Sequence, residues 1–284
     1  MRKILVTGAT GFIGNYIVNN LLQQNYLVIA SSSNRNKAEN AEWFSSVKYF
    51  RFDLKEFNDT INYYEYFERP DAVIHLAWEG LPNYKSSFHI EENLPRHYFF
   101  LKNLVEHGLT NLTITGTCFE YGMQEGCLSE DMFVMPGNAY AQAKNSLREQ
   151  LMLLQSGYNF DLKWVRLFYM YGKGQNPNSL FQQLEMAVER GDAVFNMSAG
   201  DQVRDYLPVE KVADNIVKIS LQTEVTGVIN CCSGLPVTVK EMVNKYLEEK
   251  QKTISLNLGY YPYPDFEPMA FWGDRTRLDT VKKI

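Results

Sequence analysis

The feature that most constrains this chain is a glycine-rich turn that directly follows an apolar run near the N-terminus. Gly8, Gly11 and Gly14 come after the apolar residues 4–6, and an amphipathic segment follows to about residue 22. This order predicts a strand, a turn and a helix, in which the glycines allow a tight turn, close approach of backbone N–H groups to a pyrophosphate and close helix–strand packing. The phosphate would lie at the positive N-terminus of the helix. Because the spacing is G-x-x-G-x-x-G rather than G-x-G-x-x-G, a simple strand-to-helix connection stays open as the alternative.

Composition and charge exclude several classes of protein. The 284 residues are 45% hydrophobic, which is enough for one large α/β unit or for a nucleotide domain with a smaller lobe. The net charge is -5 and the basic residues are scattered, so we expect neither nucleic acid nor a membrane as a partner. No apolar run approaches the ~20 residues that span a bilayer, and the chain enters a strand at once, which favours a cytoplasmic location. The four cysteines lack metal-ligand spacing, so we expect reduced thiols and no metal site.

Strand-like and helix-like segments alternate along the first 168 residues. This alternation predicts an α/β fold: a Rossmann-type doubly wound parallel sheet with helices on both faces, followed by a smaller C-terminal substrate-binding lobe. We expect the NAD(P)-binding domain over residues 1–168, with residues 209–232 returning to it, and the substrate-binding lobe over residues 169–284. Helices are expected over residues 82–107, interrupted by Pro95, and over residues 138–155. The expected strands are 3–7, 26–31, 47–52, 72–77, 112–115 and 162–168.

A second feature lies far down the chain, where Tyr140 and Lys144 stand four residues apart in a helical pattern. Positions i and i+4 share one helix face, so the phenol and the ammonium can meet around one cofactor ribose. An ammonium beside a phenol favours the phenolate and lowers the pKa of the tyrosine toward neutrality, which suits a general acid or base. Such pairs also arise by chance on solvated helix faces, so the functional interpretation of this pair depends on the other motifs in the sequence.

Taken together and in order, these features resemble the extended branch of the short-chain dehydrogenase/reductase family. This branch is rich in nucleotide-sugar epimerases, dehydratases and ketoreductases, and the resemblance covers nearly the whole chain. Its marks are Gly8, Gly11 and Gly14, Asp53-Leu54 after the third strand, His75-Leu76-Ala77 at the end of the fourth, Thr115-Gly116-Thr117 before Tyr121-Gly122, then Tyr140 and Lys144, Arg166 before Tyr171-Gly172, and Arg204-Asp205-Tyr206.

The resemblance implies roles for individual residues. Tyr140 is expected to be the proton donor and acceptor, Lys144 to bind the nicotinamide ribose and tune Tyr140, and Thr117 to hydrogen-bond the reacting oxygen. Hydride transfer to a carbonyl builds negative charge on that oxygen, so donors aimed at it lower the barrier. Asp53 is expected to meet the adenine amine, or else to cap the end of a strand. His75 is expected to line the cofactor cleft, or else to be a satisfied strand-end side chain.

The residues after the second strand bear on the choice of cofactor. An NAD site usually places an acidic residue there for the ribose hydroxyls, but here Ser32 is followed by Ser33, Asn34 and Arg35. Nothing repels a ribose 2′-phosphate and Arg35 could pair with it, so NADP (NADPH) is favoured and NAD is also possible. The alternative is that Arg35 simply points into water. The expected cofactor-binding residues are Gly8, Thr10, Gly11, Phe12, Ile13, Gly14, Ser32, Ser33, Asn34, Arg35, Asp53, Leu54, His75, Leu76, Ala77, Tyr140 and Lys144.

Three residues are expected to bind the substrate. Arg204 is similar to the arginine that holds the substrate diphosphate in this branch, with a surface ion pair to Asp205 or Glu210 as the alternative. Trp78 stands where the family usually has alanine, so it should reshape the cleft, although it could equally be a packing residue. Tyr169 replaces an asparagine that is often found in the epimerases. The segments around Trp78 and Tyr169 are similar to those of 4-ketoreductases that make deoxysugars.

The sequence therefore predicts an NAD(P)-dependent oxidoreductase that interconverts a nucleotide-linked 4-keto-6-deoxyhexose and its 4-hydroxy form. Cys118 and Phe119 stand where the family's dehydratases carry an acid–base pair, so we expect no dehydration. One alternative is a nucleotide-sugar 4-epimerase that retains NAD, and another is a non-catalytic Rossmann sensor or scaffold. Surplus apolar surface on the helices around residues 97–101 and 138–155 favours a homodimer.

Overall fold

The computed structural model of the chain describes residues 2–265 and 267–282. In those residues the strands, in chain order, are β1 (Lys3–Thr7), β2 (Leu27–Ser32), β3 (Lys48–Arg51), β4 (Ala72–His75), β5 (Asn111–Thr117), β6 (Gly126–Leu128), β7 (Asp161–Leu167), β8 (Tyr169–Tyr171), β9 (Val194–Asn196), β10 (Val203–Pro208), β11 (Gly227–Cys231), β12 (Pro236–Thr238), β13 (Ser255–Asn257) and β14 (Phe271–Gly273). The α-helices are α1 (Phe12–Gln23), α2 (Arg35–Glu39), α3 (Tyr63–Tyr66), α4 (Leu94–Glu106), α5 (Ala139–Leu154), α6 (Leu180–Arg190), α7 (Val209–Leu221), α8 (Val239–Glu249) and α9 (Thr276–Asp279). Short 3-10 turns cover Phe44–Ser46, Leu54–Glu56 and Cys118–Tyr121, and a π-helical turn covers His89–Asn93.

Seven strands form one parallel sheet at the centre of the molecule. Their order is β11-β7-β5-β4-β1-β2-β3, and every pairing in it is parallel. The chain moves from β1 toward β3 on one side and from β4 toward β11 on the other, so the strand order reverses between β1 and β4. Open α/β sheets bind ligands at the carboxyl ends of the strands beside such a reversal. The prediction of a doubly wound parallel α/β sheet is confirmed.

Alternate residues of the central strands enter two separate apolar cores. Ile4 and Val6 of β1 lie in a core that includes side chains of α1 and α7. Leu5 between them faces a core that includes side chains of α4 and α5. A strand that is covered on both faces needs a continuous apolar run, which β1 supplies. Residues 209–232 contribute α7 and β11 to this layered unit, and the domain boundary at residue 168 stays a prediction.

The remainder of the chain builds a smaller set of sheets with a core of its own. β12, β10 and β8 form a three-stranded sheet, while β13 pairs with β9 and β14 pairs with β6. Leu184 of α6 and Val243 of α8 meet in the apolar core of this lobe. Because β8 continues the chain directly after β7, this lobe begins at the carboxyl edge of the large sheet.

The helices of the cleft wall differ from expectation in one place. Residues 82–87 form turns and irregular backbone, the π-helical turn begins at residue 89, and α4 follows. Pro95 lies in the first turn of α4, directly after the π-helical turn, so the hydrogen-bond pattern of this helical segment changes beside the proline. In α5 the Asn138 side chain accepts a hydrogen bond from the Ala141 N–H and caps the helix.

Over residues 2–265 and 267–282, no helix combines the length and the apolar character that crossing a membrane requires. Within the same residues, no group of three or more His, Cys, Asp or Glu side chains could hold a metal ion. A cytoplasmic location stays a prediction.

Candidate active site

The glycine turn between β1 and α1 has the geometry of an anion cradle. Gly8 has φ +69, and a Cβ there would lie 2.8 Å from the Ala77 backbone nitrogen. A Cβ on Gly14 would lie 2.3 Å from the Gly8 carbonyl oxygen, while the Gly11 N–H donates to that oxygen over 2.9 Å. A side chain is therefore excluded at Gly8 and at Gly14, which flank the N-terminus of α1. Its free N–H groups and positive end suit a pyrophosphate.

The first region of the cleft runs along the carboxyl ends of β1, β2 and β4. Many predicted cofactor residues line it: Gly8, Thr10, Gly11, Ser32, Ser33, Asp53, Leu54, His75, Leu76 and Ala77. Sequence reasoning missed other residues of this wall, among them Lys37, Lys55, Asn93, Arg96, His97 and Phe100. The last four belong to the π-helical turn and α4, and no motif indicated that these elements would pack here.

The segment after β2 differs from the cofactor prediction. The Arg35 Nε pairs with Glu39 Oε1 at 2.8 Å, and 64% of its side chain is exposed. The Asn34 side chain caps α2 by accepting from the Lys37 N–H over 2.9 Å. Neither Arg35 nor Asn34 lies among the described residues that line the first region, whereas Lys37 does. Arg35 therefore matches the alternative in which it points into water.

Two predicted residues of the first region are also held by neighbours in the protein. Asp53 Oδ1 accepts from the Lys55 N–H over 3.0 Å. Asp53 therefore caps the chain where it leaves β3 and also lines the cleft. The two ring nitrogens of His75 contact Thr7 Oγ1 and His97 Nδ1, each at 2.7 Å. Burial lowers the pKa of His75 to about 3, so this imidazole is neutral at physiological pH.

The second region adjoins the first and contains two of the three predicted catalytic side chains, Thr117 and Tyr140, whereas Lys144 is not among the described residues that line either region. Gly8, Gly11, Leu76 and Trp78 line both regions, so the cleft is continuous. Thr117 ends β5, and the Tyr140 phenol projects from the first turn of α5 into the same wall of the cleft. Predicted residues in this wall are Phe12, Ile13, Gly14, Trp78, Thr117, Tyr140 and Tyr169. Residues that sequence reasoning missed include Leu81, Pro82, Tyr84, Gln175 and Asn176.

Tyr140 and Lys144 share one helix face, but the electrostatics differ from expectation. Burial raises the pKa of Tyr140 rather than lowering it, and the hydrogen bond from Thr117 only partly offsets this. The Lys144 Nζ donates to the Thr115 carbonyl over 2.9 Å and lies 4.1 Å from the centre of the Trp78 ring. Burial lowers the pKa of Lys144 to about 7. The ammonium is thus engaged by a carbonyl and an indole face, and desolvation dominates the pKa of the phenol.

Trp78 is packed tightly by two histidines. Its ring stacks on His97 with 4.5 Å between centroids, and its Nε1–H donates to His89 Nδ1 over 3.1 Å. Because that nitrogen accepts, the His89 Nε2 carries the proton and donates to the Asn83 carbonyl over 2.9 Å. Trp78 therefore combines both predicted roles, since it packs against its neighbours and lines both regions of the cleft.

Arg204 lies in a buried ion pair instead of the cleft wall. Its Nη2 donates to Glu267 Oε2 over 2.9 Å, and the Tyr169 hydroxyl donates to the same oxygen over 2.6 Å. The Arg204 side chain is only 2% exposed, and the described residues that line the two regions do not include it. Asp205, the ion-pair partner weighed from the sequence, instead accepts backbone N–H groups such as that of Ser233 at 2.7 Å. Spatial proximity to Glu267 could not be inferred because 63 residues separate it from Arg204.

Comparison with known proteins decides the family. Residues 4–232 match the NAD dependent epimerase/dehydratase family. The chain belongs to that family. This family member is 27% identical to the dTDP-6-deoxy-L-talose 4-dehydrogenase (NAD(+)) of Aggregatibacter actinomycetemcomitans, over 95% of this chain and 99% of the relative.

Two further comparisons extend the likeness. The GDP-6-deoxy-D-talose 4-dehydrogenase of the same organism is 27% identical over 98% of this chain and 90% of the relative. Among solved structures, the UDP-glucose-4-epimerase of Stenotrophomonas maltophila, with bound NAD and formylated UDP-arabinopyranose, superposes with a TM-score of 0.86 at 18% identity. That alignment covers 99% of this chain and 92% of the other, and it supports the fold.

Proposed function

We propose that this family member is an NAD(P)-dependent 4-ketoreductase that interconverts a nucleotide-linked 4-keto-6-deoxyhexose and its 4-hydroxy sugar. The observation that carries the proposal is that the Tyr140 phenol and the Thr117 hydroxyl line one wall of a cleft that continues to the glycine turn. Both curated relatives described above are named as 4-dehydrogenases of nucleotide-linked 6-deoxytaloses.

In the proposed reaction, Tyr140 and Thr117 act on the oxygen at C4 of the sugar. Tyr140 gives its phenolic proton to that oxygen during reduction and takes it back during oxidation, while Thr117 donates a hydrogen bond to it. Lys144, four residues along the same helix face, binds the ribose beside the nicotinamide. The glycine turn, Asp53 and the other residues of the first region hold the rest of the dinucleotide. A dinucleotide held by these residues would supply the hydride chemistry at C4.

The wall around Tyr140 supports a 6-deoxy substrate. The rings of Tyr84 and Phe119 pack edge to face with centroids 5.2 Å apart, and Leu81 and Tyr169 extend the same wall. This largely apolar surface suits the methyl group of a 6-deoxysugar. A hydrophobic pocket discriminates against an added hydroxyl by at most about 100-fold, so sugars with a 6-hydroxyl should react more slowly rather than not at all.

The same wall lacks the groups that a dehydration would need. Burial raises the pKa of the Cys118 thiol well above its ordinary value, and Phe119 has no ionisable group. The Glu120 carboxylate is directed away from the cleft toward Trp164 and Arg166. We therefore expect redox chemistry at C4 with no accumulation of a 4-keto-6-deoxy product from a sugar that still has its 6-hydroxyl.

For the cofactor we propose that NADPH binds at least as well as NADH. No carboxylate follows β2 at residues 32–34, and Lys37 places a cation in the wall of the first region. Lys37 thereby replaces Arg35 as the proposed partner of a ribose 2′-phosphate. The name of one relative specifies NAD(+), and the solved epimerase structure contains NAD, so NAD is expected to bind as well.

We further propose a homodimer formed through α4 and α5. Phe99 of α4 is 51% exposed, and Met152 and Leu153 of α5 are 50% and 73% exposed. A two-fold axis beside these helices would place four of them in contact and bury this apolar surface. Light scattering at micromolar concentration should give twice the mass of the chain, and a monomer would refute this assembly.

The experiment that tests the reaction is turnover with a panel of nucleotide-linked 4-keto-6-deoxyhexoses and either reduced cofactor. We expect the absorbance of reduced nicotinamide to fall as one cofactor is oxidised for each sugar reduced. Formation of the C4 epimer of a nucleotide sugar without net cofactor oxidation would instead indicate the epimerase. Cofactor binding with no turnover of any sugar in either direction would indicate a sensor or scaffold.

Replacing Tyr140 by Phe tests the proposed acid–base group. Because a positioned general acid contributes about 10²–10⁴-fold, kcat of Tyr140→Phe should fall by that factor while the cofactor dissociation constant changes little. Tyr158→Phe is the matched control, because this hydroxyl contacts Glu106 on the exposed surface. Undiminished turnover by Tyr140→Phe would remove the mechanism.

A further inference from the structure

Directly behind Thr117 lies a fully buried carboxylate that the proposed reaction does not use. Glu120 belongs to the 3-10 turn that follows β5, and its relative exposure is 0%. Its Oε1 accepts from the Thr117 N–H over 2.9 Å and from the Trp164 indole over 3.0 Å, and its Oε2 accepts from the Arg166 Nε over 2.8 Å. Donors from β5 and β7 thus hold the carboxylate from several directions, which leaves it little freedom to move.

This carboxylate forms one half of a capping box with Thr117. While Glu120 holds the Thr117 N–H, the Thr117 Oγ1 accepts from the Phe119 N–H over 3.3 Å. A hydroxyl that accepts this hydrogen bond keeps its proton free to donate, and Thr117 lines the cleft wall together with Tyr140. The capping box therefore fixes the orientation in which Thr117 acts as a donor.

The space behind Thr117 is filled closely enough to maintain this arrangement. A Cβ on Gly116 would lie 2.2 Å from the Trp164 Nε1 and 2.5 Å from the Glu120 Oε1, so only glycine fits between the strand and the carboxylate. Arg166 is 2% exposed, and its guanidinium carbon lies 4.4 Å from the centre of the Tyr121 ring. The ion pair of Glu120 and Arg166 therefore lies between the backbone at Gly116 and the ring of Tyr121.

We infer that Glu120 is a positioning residue, which holds Thr117 through its backbone N–H so that the Thr117 hydroxyl donates to the reacting oxygen. The expected effect on kcat rests on the proposed function, whereas the contacts around Glu120 do not depend on it. Arg166 balances the charge of Glu120, so the carboxylate can orient Thr117 without leaving an unpaired negative charge where the reacting oxygen gains its own.

Two double variants test the orientation at constant charge. Both Glu120→Gln/Arg166→Met and Glu120→Leu/Arg166→Met remove the ion pair, and Gln and Leu are similar in size. Only Gln retains an oxygen that can accept from the Thr117 N–H. We expect kcat to fall about 10–100-fold in the Leu variant, with KM changed less, and to recover to within about fivefold of wild type in the Gln variant. Equal kcat values in the two variants would overturn the inference.

Thr117→Ala supplies the second arm, because it removes the hydroxyl that Glu120 is inferred to orient. In that background the Leu and Gln double variants should have the same kcat, since no hydroxyl remains to be positioned. If the Leu variant still falls about 10-fold or more below the Gln variant there, Glu120 acts in some other way and the inference fails.

A third readout does not depend on the substrate. Hydrogen exchange of the Thr117 amide should be slow in wild type and in the Gln variant, and faster in the Leu variant. If this pattern is found while no sugar is turned over, the geometry holds and the proposed function alone has failed. Equal protection of the amide in all three proteins would reject the positioning role.

Should the Leu variant fail to fold, the single variant Glu120→Gln decides through its pH profile. The charged and titratable groups that the Glu120 charge reaches are Arg166 beside it, Tyr140, Lys144 and Arg148 of α5, and Cys118, while the Tyr121 ring contacts Arg166. Glu120 raises the pKa of both Tyr140 and Lys144, so its neutralisation should shift the ionisations in the kcat profile to lower pH. Because Gln keeps an oxygen for the Thr117 N–H, kcat at the optimum pH should stay within about fivefold of wild type, and a fall of about 10-fold or more there would overturn the inference.

Discussion

The two regions of the cleft are stabilised by different interactions: neutral hydrogen bonds in the first and buried ion pairs near the second. In the first region, polar side chains are satisfied by neighbours at strand ends, as in the chain from Thr7 through His75 to His97. Its two buried imidazoles are neutral, because burial lowers the pKa of each. Near the second region, charge is buried and must be compensated, as in the pair of Arg204 with Glu267. Removing one side chain from a neutral hydrogen-bond network should therefore cost less free energy of unfolding than removing one partner of a buried ion pair.

The largest effect that tests this comparison is expected from Arg204→Gln. The change leaves the Glu267 carboxylate in place with Tyr169 as a neutral donor, and breaking a buried pair in this way costs about 3 kcal/mol or more of the free energy of unfolding. Urea denaturation at neutral pH measures it. The matched control is Arg190→Gln, because Arg190 pairs with Asp192 on the surface and such pairs contribute at most about 1 kcal/mol. Equal losses of unfolding free energy in the two variants would show that the buried ion pair is no more costly to break than the exposed one.

A smaller effect is expected from the buried lysines. Burial lowers the pKa of Lys144 from 10.5 to about 7. Between these values the unfolded chain binds more protons than the folded one, so the free energy of unfolding rises with pH across this window. The stabilisation is complete above the unfolded pKa and is lost as the pH falls through the folded value. The slope that one group contributes is at most about 1.4 kcal/mol per pH unit.

Lys144→Met should remove this rise, and urea denaturation from neutral to alkaline pH measures it. Lys163 is the control, because it lies at the start of β7 and donates to Asn111 far from the catalytic side chains. Burial lowers its pKa to about 8, so Lys163→Met should flatten the curve only above about that pH. Lys144→Met could instead leave the slope of the unfolding free energy unchanged between about pH 7, the pKa of Lys144, and about pH 8, the pKa of Lys163. The wild-type Lys144 ammonium would then be better solvated than its burial indicates.

The sequence predicted best what depends on short stretches of chain. The glycine turn, the parallel strands and the shared helix face of Tyr140 and Lys144 follow from local spacing. Asp53 and His75 could be assigned to strand ends because parallel strands finish at one edge of a sheet. These positions need no knowledge of what lies across the cleft.

The remainder depended on contacts between distant segments. Tyr169 and Glu267 are 98 residues apart, and no local pattern indicates that they meet. The direction of the Tyr140 pKa was wrong in the prediction because burial outweighs a charged neighbour, and burial depends on how whole elements pack. Arg35 was expected to face a ligand, but Glu39 at i+4 on the same short helix provides a nearer partner.

The smallest predicted effect concerns the cation in the first region and the choice of cofactor. If Lys37 meets a ribose 2′-phosphate, Lys37→Ala should weaken NADPH binding about 2–5-fold, because an exposed ion pair contributes at most about 1 kcal/mol. NADH lacks that phosphate, so its dissociation constant should not change. Fluorescence titration of reduced cofactor measures both constants.

Arg35→Ala is the matched control for Lys37→Ala, since Arg35 is a cation two residues away that pairs with Glu39 and lies outside the cleft wall. It should change neither dissociation constant. A loss of NADPH affinity in Arg35→Ala alone would mean that Arg35 leaves Glu39 for the phosphate, which would restore the role expected from the sequence. A wild-type protein that binds NADH more than about 10-fold tighter than NADPH would refute the cofactor proposal itself, because the serine-rich end of β2 would then discriminate against the phosphate without any carboxylate at residues 32–34.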